Sequence, residues 1–125
     1  MTPAILLVED EPDLVLALRS LLEDRGHDVL EAATGAGALR LATERRPDVV
    51  VLDVGLPDMD GLAVLSELRT WPGREQPAVV VISAHASGHT AARARALGCE
   101  HYVTKPFDPI DLVETIGSVA AGQRP

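Results

Sequence analysis

Apolar residues follow two alternating rhythms along the chain. Short runs rich in aliphatic and β-branched residues occur at Ala4–Val8, Asp28–Ala32, Asp48–Leu52 and Ala78–Ile82, with a fifth short run around Tyr102. Runs this brief, rich in Val and Ile and bounded by polar residues, predict strands, and the unbroken ones predict strands buried on both faces. Between them lie longer segments in which apolar positions recur with the helical period: Pro12–Arg25, Gly37–Arg45, Leu62–Arg69, about Thr90–Leu97 and Pro109 to about Ala120. Strand followed by helix, repeated along the whole chain, predicts an α/β fold with a parallel sheet covered on both faces.

The punctuation agrees with these elements. Pro12 suits a first helical turn, where its missing N–H costs nothing. Gly26 and Gly98 follow helices at positions that call for a left-handed cap. Thr34 and Asp60 are placed to cap helix N-termini, and Glu11 reads as a first-turn acid favoured by the helix dipole. No linker or repeat interrupts the chain. Residues 1–121 are expected to form one unit, with 122–125, within the ending "AAGQRP", as a tail or the start of a linker.

Composition narrows the classes of function. A chain of 125 residues with 46% hydrophobic content is the size of one domain with a real core. Its formal charge of −8 and its three aromatic residues argue against direct contact with nucleic acid, which needs a basic surface or stacking platforms. A single cysteine, Cys99, excludes an internal disulfide and reads as a small buried side chain in a reducing compartment. No apolar run approaches the roughly 18 residues that span a bilayer, and no signal-type segment opens the chain, so a soluble cytoplasmic protein is expected.

The chemistry gathers where strands end. Glu9 and Asp10 follow the first strand, Asp53 the third, Ser83 the fourth and Lys105 the fifth. Ligands of open parallel sheets bind beyond the carboxyl ends of the strands, near the point where strand order reverses. With the order 2-1-3-4-5, three carboxylates would meet, and their repulsion calls for a cation. A hard divalent ion, Mg²⁺, fits such a set, with the backbone carbonyl of Gly55 as a further ligand. An incoming phosphoryl group would then find Asp53 as nucleophile, Lys105 as counter-charge and the Ser83 hydroxyl as donor.

The stretches "ILLVEDE", "VVVLDVGLPDMDG", "VVVISA" and "YVTKPF", in this order and spacing, resemble the receiver domain of two-component response regulators, the CheY-like family. The resemblance covers essentially the whole chain. It implies a flavodoxin-like (βα)5 three-layer sandwich with strand order 2-1-3-4-5. It implies transfer of a phosphoryl group from a histidine kinase or histidine phosphotransfer protein to Asp53, self-catalysed and dependent on Mg²⁺, with Mn²⁺ able to substitute. It also implies that Glu9, Asp10 and Asp53 serve the metal and that Ser83 and Lys105 hold the phosphoryl group. Tyr102 would be the switch aromatic. The surface of the fourth helix, fifth strand and fifth helix would signal to a partner or output domain, and the Lys105–Pro106 peptide would be cis. Gly55 and His85 would tune the lifetime of the phosphoryl group.

Three features depart from the family or suggest rivals. Receivers of winged-helix transcription regulators carry paired acids and an arginine that bridge an activated dimer, whereas the matching positions here are Glu100, His101 and Thr115. Such an output loses support against a single-domain regulator or a receiver within a larger protein. An aspartyl-nucleophile phosphatase would place a second Asp two residues after the first, where this chain has Gly55. The "TGAGAL" stretch lacks the third glycine of a dinucleotide-binding turn, at Arg40, and reads as a turn and helix start. A receiver-like module that binds partners without phosphorylation is disfavoured by the intact acids and Lys105. His27 and His101 read as surface or turn residues, and the scattered histidines make no zinc site.

Overall fold

The structure is a computed structural model that describes residues 2–73, 76–84 and 88–122. Its elements run β1 (Ala4–Val8), α1 (Pro12–Asp24), β2 (Asp28–Ala32), α2 (Gly35–Arg45), β3 (Val49–Asp53), α3 (Gly61–Leu68), β4 (Ala78–Ser83), α4 (Gly88–Ala96), β5 (His101–Thr104) and α5 (Pro109–Gly122). All neighbouring strands are parallel, in the order β2-β1-β3-β4-β5. This is the parallel sheet that the pattern predicts, in the three-layer flavodoxin-like arrangement that the resemblance implies.

Because side chains alternate across a strand, the buried runs supply two cores at once. Leu6, Val8, Val50, Leu52, Val79 and Val81 face α2, α3 and α4. Ile5, Leu7, Val49, Val51, Val80 and Ile82 face α1 and α5, against Leu18, Leu22, Leu112, Val113 and Ile116. Each fully buried Leu, Ile or Val contributes about 1.5–3 kcal/mol relative to exposure. That outweighs any local preference, and explains why even the short α3 holds, with Leu62, Val64, Leu65 and Leu68 all buried.

Some boundaries move from the sequence-based expectation. β3 and β4 each run one residue further, so Asp53 and Ser83 are the last residues of their strands, paired with Ile82 and Thr104. α2 begins at Gly35 rather than Gly37, since Thr34 is its N-cap and its side chain accepts from the Gly37 N–H. α4 begins at Gly88 and α5 reaches Gly122. Glu11 is the N-cap position of α1 without a side-chain cap, and the first-turn acid is Asp13, because Pro12 takes N1. Cys99 is only half-buried, at the edge of the α4-side core. Gly26 and Gly98 do adopt left-handed backbone, with φ of 86° and 81°.

Candidate functional site

The strand order makes the site. β1 and β3 are neighbours in register, with Val8 opposite Leu52, so the next residue of each, Glu9 and Asp53, emerge side by side. Each is only 5% exposed, whereas Asp10 is exposed. One carboxylate oxygen from each of the three lies within 4.8 Å of the others. From the far side of β4, Lys105 extends its Nζ to 3.0 Å from Glu9 Oε1 and 3.4 Å from Asp53 Oδ2. Its backbone N–H donates to the Ser83 carbonyl at 2.8 Å, which fixes the start of the β5–α5 connection against the end of β4. The Lys105–Pro106 peptide is cis.

The oxygens of the two buried acids are divided between partners. Glu9 Oε2 accepts from the N–H groups of Asp10 and Glu11, at 3.0 and 3.1 Å, which leaves Oε1 to Lys105. Asp53 Oδ1 accepts from the Gly55 N–H at 3.1 Å, and Oδ2 faces Lys105. Burial raises the Glu9 pKa above its ordinary value, and the neighbouring Asp53 charge adds to this against the opposing pull of Lys105 and the Glu11 N–H. Burial works against the Lys105 charge, but Glu9 and Asp53 outweigh it and raise that pKa. Three carboxylates and one ammonium leave a net charge of −2. A hard divalent cation with oxygen ligands fits that deficit and that donor set.

The other expected residues belong to different elements. Ser83 is fully buried at the end of β4. Tyr102 pairs with Val81 on β5 and packs, half-buried, on the α4 side of the sheet. By alternation Ser83 belongs to that same side, one diagonal from Tyr102. Gly55 lies in the loop two residues past Asp53. His85 lies outside the described residues. Glu100 is engaged within the chain: its Oε1 accepts from the Val79 N–H at 2.6 Å and lies 3.4 Å from Arg69.

Several contacts around the site have no local signal in the sequence. Asp58, in the loop between β3 and α3, accepts from the N–H groups of Gly35 and Ala36, at 2.8 and 3.1 Å, and these bonds lower its pKa. Gly61 sits so close to the acceptor strand that a Cβ there would lie 2.2 Å from the Asp53 carbonyl oxygen. The "DG" pair ending the quoted acidic stretch is the one hint of this approach. At the opposite end of the sheet the Arg46 guanidinium stacks 5.2 Å from the centre of the Trp71 ring, and Arg69 binds the carbonyls of Pro77, Leu97 and Gly98.

The comparisons with known proteins agree with this fold. The family described as response regulator receiver domain matches residues 5–117. The transcriptional regulatory protein KdpE of Mycobacterium tuberculosis is 48% identical over 103 residues, covering 82% of this chain and 44% of that protein. The polar-differentiation response regulator DivK of Brucella ovis is 33% identical over 118 residues, covering 94% of this chain and 96% of that one. Among solved structures, the CheY-like receiver domain protein from Methanospirillum hungatei superimposes with a TM-score of 0.90 at 25% identity, covering 98% of this chain and 97% of that one. This chain belongs to the response regulator receiver domains of two-component systems. It spans less than half the length of KdpE and nearly all of DivK.

Proposed function

We propose that Asp53 accepts a phosphoryl group from a histidine kinase or histidine phosphotransfer protein, and that the chain itself catalyses the transfer and the later hydrolysis. The observation that carries this reading is the buried Asp53 carboxylate, held among Glu9, Asp10 and the Lys105 ammonium at the carboxyl end of the sheet. Glu9, Asp10, Asp53 and the Gly55 carbonyl would hold Mg²⁺, or Mn²⁺ in its place. When bound, the ion supplies charge neutralisation for the phosphoryl oxygens. Lys105 orients Asp53 and compensates charge, Ser83 donates its hydroxyl to the transferred group, and Pro106 holds the turn that aims Lys105. Gly55 puts no carboxyl general acid beside the acceptor, which favours a long-lived switch over a hydrolase. Gly55 and His85 tune that lifetime.

The donor protein approaches over α1. Leu16 there is 68% exposed and borders, with Pro12 and Val15, a groove that opens onto Glu9 and Asp10. The output leaves through the α4–β5–α5 face, where Ser83 and Tyr102 share one side of the sheet and act as the coupled switch toward an output domain or a separate protein. The receiver unit extends through α5 to Gly122, one residue past the expected boundary, and acts in the cytoplasm without contacting nucleic acid or membrane. Among the described residues no helix is long and apolar enough to cross a membrane. The test is ¹⁹F NMR with beryllofluoride, a phosphoryl mimic, and Mg²⁺. A bound fluorine signal is expected in the wild type and none in Asp53→Asn; an equal signal in both would overturn the assignment.

A further inference from the structure

The loop from Val54 to Asp60 is closed at its base and tied to another element at its tip. At the base, the Gly61 N–H donates to the Val54 carbonyl at 2.8 Å, Gly55 bridges to Asp60, and Asp60 caps α3 by accepting from the Leu62 N–H at 2.8 Å. At the tip, Asp58 places one oxygen on each of two successive amides of α2, those of Gly35 and Ala36. These are donors that the intrinsic cap does not use, since Thr34 takes the Gly37 N–H. The absence of a side chain at Gly35 lets the loop sit against the helix: a Cβ there would lie 2.5 Å from both Cγ and Sδ of Met59. Gly35, the first glycine of "TGAGAL", thus serves as the seat for this loop.

We propose that Asp58 is a positioning residue for the divalent-ion site, holding the loop so that Gly55 is presented beside Asp53. This rests on the reading above that Glu9, Asp10, Asp53 and the Gly55 carbonyl hold the ion. Asp58 touches none of them. It acts through the loop, whose Gly55–Asp60 bridge and Gly55 N–H bond to Asp53 depend on where the tip is held. Groups that orient metal ligands from outside typically alter affinity by about 10–100-fold when removed. Backbone closure at the loop base places Asp58 at the lower end of that range.

The experiment is calorimetric titration of the full chain with Mg²⁺ alone, with thermal unfolding of each variant beside it. Asp58→Ala is expected to raise the Mg²⁺ dissociation constant about 10-fold. Asp58→Asn, which keeps an acceptor for the Gly35 N–H, should recover part of the affinity and decides the matter if the alanine variant does not fold. Thr34→Ala removes a cap from the same helix end without touching the loop. It should lower the unfolding temperature as Asp58→Ala does, yet leave Mg²⁺ affinity within about twofold. Asp58 variants that bind Mg²⁺ as tightly as the wild type would overturn the positioning role alone. So would a loss of affinity in Thr34→Ala equal to that in Asp58→Ala. A wild type that binds no Mg²⁺ would overturn the site reading and this inference together.

Discussion

Asp53 is at once buried, negatively charged and adjacent to Glu9, and this tension accounts for the behaviour expected of the site. Lys105 relieves part of it, and its pairing with Glu9, at 3.0 Å, is closer than with Asp53. Lys105→Ala would leave two buried carboxylates facing each other without a cation and should destabilise the ion-free protein by about 1–3 kcal/mol, measured by urea unfolding. Added Mg²⁺ should recover much of that loss, and no recovery would show that the ion does not reach this cluster. The pH dependence has a definite sign. A carboxyl whose pKa is raised on folding, as Glu9 is, contributes stability below its unfolded value of 4.5 that is lost as pH rises through the folded value. Mg²⁺ requires the ionised form, so its stabilisation should run the other way. The rise in melting temperature produced by saturating Mg²⁺ should be large at neutral pH and shrink as pH falls toward 4.5. Equal rises at both would count against Glu9 as part of the site.

At the scale of elements, the three central strands were legible because continuous apolar runs have few other uses in a chain of this size, and five strand segments alternating with helical ones specify a parallel sheet. Glu9, Asp10, Asp53 and Ser83 stood out for the same reason, each being a polar residue that ends or follows an apolar run, and Lys105 by its place just after the fifth strand; the structure brings Glu9, Asp10, Asp53 and Lys105 together. What could not be read is what depends on distant partners. Asp58 binds amides 23 and 22 residues away, so nothing near it in the chain distinguishes it from a surface acid. The start of α2 was misplaced because Gly35 looks like a turn residue, whereas Thr34 and Asp58 together support a helical turn there. The glycines separate these effects experimentally. Gly26→Ala meets no atom within 4 Å but must adopt a φ of 86°, so it should cost about 1 kcal/mol. Gly61→Ala drives a Cβ into the Asp53 and Val54 backbone and should cost about 3 kcal/mol or more while loosening the acceptor loop. Denaturant midpoints that rank these two the other way would contradict the close approach of α3 to β3.

Over the whole molecule, the two sides of the sheet carry different residues of the proposed function. The α1–α5 side carries Leu16 beside the groove leading to the acids, and the α4 side carries Ser83 and Tyr102 on neighbouring strands. A phosphoryl group can shift the α4–β5 surface only by interacting differently with its two states, and in the proposed function the Ser83 hydroxyl would carry that difference. Amide chemical shifts on adding beryllofluoride should therefore change along 88–105 in the wild type. In Ser83→Ala they should stay largely around Asp10 and Asp53, and equal distal changes in the two would remove Ser83 from the coupling. The proposed function requires, before any switch, that Asp53 at the end of the third strand be a phosphoryl acceptor. Intact-mass spectrometry after incubation with a small acyl phosphate donor and Mg²⁺ tests it most directly. One addition of about 80 Da is expected, labile to hydroxylamine as acyl phosphates are and absent in Asp53→Asn. An addition that survives hydroxylamine, or that persists in Asp53→Asn, would contradict it.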